Sequence, residues 1–72
     1  MPLSARNQLP GTVTSIKEGA VMAEVVVTLE GGLEVVSAIT ADSVRRLKLT
    51  TGSHVTVIVK ATEVMLATND AE

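Results

Sequence analysis

Cysteine is absent from this chain of 72 residues, and so are phenylalanine, tyrosine and tryptophan. Without cysteine, the sequence excludes a disulfide scaffold, a thiolate zinc site and a cysteine nucleophile. Without aromatic side chains, the protein has no platform on which nucleic-acid bases could stack. Its net charge of −2 gives no basic footprint for a phosphate backbone. These absences disfavour a nucleic-acid partner.

Long hydrophobic runs and clustered catalytic residues are also missing. The apolar runs are far too short to span a bilayer, and no secretory leader opens the chain, so we expect a cytoplasmic protein without a membrane partner. The single histidine, His54, has no acidic neighbour in sequence, and the eight acidic residues are scattered. Because no acid/base pair or metal constellation is evident, we expect no enzymatic activity and no direct protein–metal ligands.

The hydrophobic content is high for so short a chain, at 46% of the residues. A domain of about 60 residues buries only ~60% of the surface that its unfolded chain exposes, so it is marginal alone. Neither disulfides nor metal ligands are present to compensate. Association with other copies would bury the excess, and we therefore expect a homo-oligomer. The chain has room for one domain, over 1–68, followed by a polar tail over 69–72.

Alternating apolar and polar residues, separated by turn signals, predict a chain of short strands. Pro10 interrupts the first strand, which must therefore be an edge or bulged there, because proline cannot donate to a ladder. Lys17-Glu18-Gly19 is predicted to be a turn, and a helix within Thr40–Leu49 is predicted to be capped by Thr40 or Asp42. The five predicted strands are Asn7–Ile16, Val21–Leu29, Leu33–Thr40, His54–Ala61 and Val64–Ala67.

This order of elements is typical of an all-β protein, a five-stranded OB-like Greek-key barrel with one short helix between strands 3 and 4. Closing the sheet would also protect the edges of so β-rich a chain. An SH3-like barrel is the alternative, but it lacks a helix of this length in that position.

Hydroxyls, cations and a free amide beside a small residue are the groups that bind a tetrahedral oxyanion, which presents only acceptors. The chain offers these donors at Ser4, Arg6, Ser43, Lys60 and the backbone N–H of Ala61. Taken alone, Lys60 is more typical of a surface lysine at the end of a strand than of an anion contact. The basic residues of the predicted helix, Arg45, Arg46 and Lys48, indicate an ordinary solvated face.

Four motifs together resemble one known family. They are Ser-Ala-Arg-Asn-Gln-Leu-x-Gly-x-Val at Ser4–Val13, Gly-Ala-Val-x-Ala-Glu-Val at Gly19–Val25, Ala-Ile-Thr-x-x-Ser at Ala38–Ser43 and Lys-Ala-Thr-x-Val-Met at Lys60–Met65. The sequence is similar, from about residue 2 to residue 68, to the molbindin (Mop) family of molybdenum-pterin-binding proteins. That fold is also the TOBE domain of molybdate transport ATPases and molybdate-responsive regulators.

The resemblance implies an OB-like barrel that binds molybdate, and usually tungstate, as the intact oxyanion. It implies a homo-oligomer, a hexamer built as a trimer of dimers, with anions held at the subunit interfaces. It assigns N-terminal anion contacts to Ser4 and Arg6 and a hydroxyl contact to Ser43. It assigns the closing contacts to Lys60 and the Ala61 N–H, which are expected to come from a neighbouring chain. The expected role is molybdate storage and homeostasis without an organic cofactor. The alternative is a TOBE-like dimerisation or interaction module without its own storage role.

Overall fold

A four-stranded antiparallel sheet forms the framework of the protein. The computed structural model describes residues 3–69, so the predicted tail residues 70–72 lie outside the described part of the chain. The strands lie in the order β3-β2-β1-β4, and each neighbouring pair is antiparallel. Their bounds are β1 Asn7–Glu18, β2 Met22–Leu29, β3 Glu34–Thr40 and β4 His54–Val59, with helix α1 Ala41–Arg46 after β3 and a 3-10 turn Ala61–Glu63 after β4.

The core consists of small aliphatic side chains. Successive residues of a strand point to opposite faces, and the buried residues of β2 alternate accordingly with exposed or half-buried ones. Helix α1 packs against β2 and β3. None of the helices among residues 3–69 is long and apolar enough to cross a membrane. The buried residues are Val13, Ala23, Val25, Val27, Ala41 and Val44.

Strand β1 passes through Pro10 without a break. Pro10 is opposite Thr56 of β4, whereas pairing with β2 begins only at Gly11, so β1 is an edge on the β2 side at Pro10. The prediction of an edge at this proline is confirmed. A register shift between Val13 and Ser15 lies further along the strand, where β1 pairs with β2.

The predicted turn Lys17-Glu18-Gly19 is wrong by two residues. Lys17 and Glu18 continue β1 and are opposite Glu24 and Ala23 of β2, and the turn follows them. The N–H of Gly19 donates to the Met22 carbonyl at 2.8 Å, which closes the turn. Lysine and glutamate suit an exposed strand position as well as a turn, so their polarity did not distinguish the two.

The fifth predicted strand, Val64–Ala67, is also wrong, and β4 ends at Val59 rather than Ala61. No strand follows β4 among the described residues, and every residue from Lys60 to Asn69 is exposed. The outer strands β3 and β4 are not paired to each other, so the sheet stays open rather than closing as a barrel. An apolar run adopts strand structure only where a partner edge meets it, and the sequence pattern cannot supply that partner.

Candidate functional site

Four of the five predicted anion contacts lie at the N-terminal end of β1, at Asn7, which we call the first end. Asn7 is opposite Val59 in the β1–β4 pair, and its Nδ2 donates to the Val59 carbonyl at 3.2 Å. The next residues outward from this pair are Arg6 and Lys60, so both leave the sheet at the same end. Both side chains are exposed. The antiparallel register therefore brings the two predicted cations to one place.

The segment before β1 is held by a local contact. The side chain of Gln8 donates from Nε2 to the Ala5 carbonyl at 2.7 Å. Ser4 is exposed and lies two residues before Arg6, in a bend. Its hydroxyl therefore belongs to the same end of the sheet as the two cations.

Lys60 follows the last residue of β4, and Ala61 is the first residue of the 3-10 turn. The Lys60 carbonyl accepts from the Glu63 N–H at 2.8 Å, and the Ala61 carbonyl accepts from the Val64 N–H at 3.3 Å. Within residues 3–69, the Ala61 N–H has no hydrogen-bond partner. An amide that is exposed beside a methyl side chain is open to an incoming acceptor. This is the backbone donor that the sequence analysis assigned to the site.

Ser43 lies in α1, in a network centred on its hydroxyl. The Thr40 side chain caps the helix by accepting from the Ser43 N–H at 3.0 Å, which confirms one of the two predicted caps. The Ser43 Oγ accepts from Thr40 Oγ1 at 2.7 Å and from Arg46 Nη2 at 3.2 Å. Both bonds use the oxygen, so the hydroxyl proton of Ser43 remains available to an outside acceptor. The contact from Arg46 was not predicted from the sequence, because the arginine was taken as part of a solvated face.

Ser43 lies at the opposite end of β1 from the other four residues. Glu18, the last residue of β1, is opposite Ala23, and the Ala41 N–H that begins α1 donates to the Val21 carbonyl at 2.7 Å. At ~3.3 Å per residue, the length of β1 corresponds to about 35 Å along the strand. The structure therefore brings Ser4, Arg6, Lys60 and Ala61 to one end of the sheet and leaves Ser43 at the other.

Charge pairing differs between these two groups. At the Ser43 end, Arg45 Nη1 lies 2.8 Å from Glu18 Oε2, and Arg46 Nε lies 3.5 Å from Asp42 Oδ2. Among residues 3–69, no ion pair includes Arg6 or Lys60. Arg45, Arg46 and Asp42 are largely exposed and Glu18 is 39% exposed, so each pair contributes little to stability. Arg6 and Lys60 therefore lack a counter-ion among the described residues, as Lys17 and Lys48 also do, but only Arg6 and Lys60 lie beside the other predicted donors.

Two depressions occur elsewhere on the sheet. A shallow groove of about 690 Å³ is lined by hydroxyls of β1, β2 and β4 and also by Glu30 and His54. None of the predicted anion contacts lines it, and the carboxylate of Glu30 opposes an anion there. A narrower cleft of about 210 Å³ lies between β3 and β4 and has a mainly apolar lining. Within residues 3–69, no group of three or more metal-ligating side chains is present.

Comparison with known proteins covers nearly the whole chain. Residues 3–66 match the model of the TOBE domain. Over 66 residues the chain is 47% identical to molybdenum-pterin-binding protein 2 of Clostridium pasteurianum. The aligned region covers 92% of this chain and 97% of that protein.

Two solved structures are similar in fold as well as in sequence. A molybdate-binding protein from Sporomusa ovata superposes with a TM-score of 0.89 and 47% identity, over 94% of this chain and all of that one. ModG, described as a cytoplasmic molybdate-binding protein and crystallised with molybdate bound, gives a TM-score of 0.82 and 46% identity. That match covers 85% of this chain but only 43% of ModG. The likeness supports the predicted all-β, OB-like architecture, while the number of strands is the correction given above.

Proposed function

The chain belongs to the TOBE-domain family that includes the molybdenum-pterin-binding (Mop) proteins, and on that premise we propose that it binds molybdate as the intact oxyanion. The observation that carries the proposal is the set of donors at the first end of β1. Arg6 and Lys60 lie just beyond the paired ends of the neighbouring strands β1 and β4 there, and neither is ion-paired within residues 3–69. Ser4 and the Ala61 N–H add neutral donors beside them.

The chemistry of molybdate fits this donor set. A tetrahedral dianion presents acceptor oxygens and no donor, so cationic side chains, hydroxyls and unpaired amides bind it with charge-assisted hydrogen bonds. A protonated phosphate carries an O–H donor, and a site made only of donors offers that group no acceptor. Sulfate has the same charge and shape as molybdate, so discrimination against it must come from the size of the finished site. Tungstate, as the close analogue, is expected to bind as well.

A complete site needs a second copy. Ser43 lies at the far end of β1, so one chain cannot pool all five predicted contacts unless another copy places its α1 against Arg6 and Lys60. We propose that the protein is a homo-oligomer, a hexamer arranged as a trimer of dimers, with molybdate at the subunit interfaces. A ligand that binds only the assembled form stabilises it in proportion to RT ln(1 + [L]/Kd), so occupancy and assembly are linked.

The proposed role is storage and homeostasis of molybdate in the cytoplasm. Binding by hydrogen bonds and charge forms no covalent bond, so the anion can be released unchanged. The proposal includes no enzymatic step and no organic cofactor. It is supported by the similarity of the chain over most of its length to proteins named for molybdate or molybdenum-pterin binding.

Calorimetric titration with molybdate, and in parallel with sulfate, tests the proposed function. We expect saturable heat with molybdate and much weaker heat with sulfate at the same ionic strength. An absence of heat with molybdate contradicts the proposal. If the protein nevertheless remains oligomeric, that result favours the alternative, a TOBE-like interaction module without a storage role.

A further inference from the structure

Arg46, the last residue of α1, contacts two polar side chains of its own helix. Residues three and four positions apart are neighbours on a helix, and Arg46 follows Ser43 by three positions and Asp42 by four. Its Nη2 donates to the Ser43 Oγ at 3.2 Å, and its Nε lies 3.5 Å from the Asp42 Oδ2. The two contacts together orient the rigid guanidinium group with one nitrogen toward the hydroxyl.

The Ser43 hydroxyl has one proton to donate and two lone pairs with which to accept. Thr40 Oγ1 donates to its oxygen at 2.7 Å, and Arg46 uses the other accepting position. With both lone pairs engaged within its own chain, the hydroxyl can act toward a ligand only as a donor. The bond from Arg46 is given by a cation, and such a bond polarises the hydroxyl and strengthens the hydrogen bond that it donates.

Arg45 is the same residue type at the preceding position of α1, but it lacks this contact. Its Nη1 donates to the Glu18 Oε2 at 2.8 Å, at the end of β1. Among residues 3–69, the Arg45 side chain makes no hydrogen bond to Ser43. Both arginines carry one positive charge on an exposed side chain, so their long-range effect on an anion is similar. They differ in the contact with the hydroxyl.

We propose that Arg46 is a positioning residue of the anion site, which holds the Ser43 hydroxyl as a polarised donor and so favours oxyanions that carry no proton. This inference rests on the proposed molybdate binding, with Ser43 as one of its contacts. Molybdate presents only acceptor oxygens, which match such a donor. A protonated anion such as hydrogen phosphate carries an O–H group, for which Ser43 has no lone pair left. Arg46 therefore contributes to selectivity without touching the anion.

A double-mutant cycle measures whether Arg46 acts through Ser43. Arg46→Met removes every donor of an exposed side chain and keeps a good helix former, and Arg45→Met is the control with the same change of charge. In titration calorimetry we expect Arg46→Met to weaken molybdate binding about threefold more than Arg45→Met does. In chains that also carry Ser43→Ala, the two arginine substitutions should have equal effects, because the hydroxyl through which Arg46 acts is gone.

Competition with phosphate and with sulfate tests the selectivity. Near neutral pH phosphate carries at least one O–H group, whereas sulfate carries none. We expect the ratio of the phosphate Kd to the molybdate Kd to fall by about threefold or more in Arg46→Met, because the freed lone pair of Ser43 can accept from phosphate. The ratio of the sulfate Kd to the molybdate Kd should stay the same, and Arg45→Met should change neither ratio. A purely structural role of Arg46 would shift all three anions alike.

The outcomes separate the role of Arg46 from the proposed function. If the unsubstituted chain binds no molybdate, the proposed function fails and the inference fails with it. If that chain binds molybdate, three results each overturn the role of Arg46 alone. The first is an equal loss of affinity in Arg46→Met and Arg45→Met. The second is an additional loss in Arg46→Met that persists beside Ser43→Ala. The third is a phosphate ratio that changes no more than the sulfate ratio.

Discussion

The two ends of β1 carry similar cations in opposite electrostatic situations. At the α1 end, Arg45 and Arg46 face carboxylates at 2.8 Å and 3.5 Å. At the first end, Arg6 and Lys60 are brought together by strand register and have no carboxylate partner among residues 3–69. The comparison teaches that the number of basic residues does not identify an anion site. What matters is whether cations without a counter-ion are brought together beside other donors, as Arg6 and Lys60 are.

Of the substitutions considered, Lys60→Ala is expected to lower the molybdate affinity most. It removes a whole positive charge and three donors from the first end, so molybdate affinity should fall by more than about tenfold while the oligomer persists in buffer. Titration calorimetry measures the loss. Lys17→Ala is the matched control, because Lys17 is an exposed lysine near the other end of β1. Equal losses for the two variants would mean that Lys60 contributes no more to binding than a lysine outside the five predicted contacts.

Arg6→Ala should cause the second largest loss. It should lower the molybdate affinity by about tenfold, the typical effect of removing a hydrogen bond to a charged group. Arg45→Ala changes the same residue type at the other end, where it breaks an exposed pair with Glu18. Exposed pairs are worth little, so that variant should keep its affinity within about twofold. Parallel titrations of the two variants compare the two ends directly, and an equal response would remove Arg6 from the site.

Ser43→Ala should reduce molybdate affinity by about fivefold, since it deletes one neutral donor without changing charge. Because Ser43 lies at the far end of β1, an effect on binding would mean that the Ser43 that contacts the anion belongs to a second copy. The control is Ser15→Ala, an exposed serine in β1. Unchanged affinity in Ser43→Ala would exclude α1 from the site.

Thr40→Ala should have the smallest effect on binding. The substitution removes the side-chain cap of α1 and should lower the free energy of unfolding by about 1 kcal/mol. The Ser43 hydroxyl would still be held by Arg46 at 3.2 Å, so affinity should change little. Urea unfolding and titration of the same sample separate the two quantities. A large loss of affinity without a loss of stability would show that Thr40 contacts the anion itself.

Local features were predictable from the sequence. The alternation of β2 follows from side chains that point to opposite faces, and the cap by Thr40 follows from a hydroxyl placed before a short helix. The restriction of Pro10 to an edge follows from its missing N–H group. Each of these depends on neighbours within a few residues.

Non-local features were not predictable. Val64–Ala67 has an apolar strand pattern, but a pattern does not contain the edge that it must join. The anion site was expected to lie between subunits, with Lys60 and Ala61 from a neighbouring chain. The sequence did not show that strand register brings Lys60 to Arg6 of the same chain and leaves Ser43 at the other end. Arg46 was taken as solvated because its contact with Ser43 depends on a side-chain conformation. In the first two cases the missing information was a contact between distant parts of the chain, whereas the Arg46 contact is local, only three residues apart, and depends on the rotamer of the arginine.

Subunit mixing tests most directly the claim that two copies complete one anion site. Chains carrying Lys60→Ala and chains carrying Ser43→Ala each retain the residue that the other lacks. If a site takes Lys60 from one copy and Ser43 from another, mixed oligomers contain some complete sites, and tight molybdate binding reappears after the two samples are dissociated and reassembled together. If the mixture binds no better than its two components, or if a monomer binds at full strength, the two-copy site is contradicted.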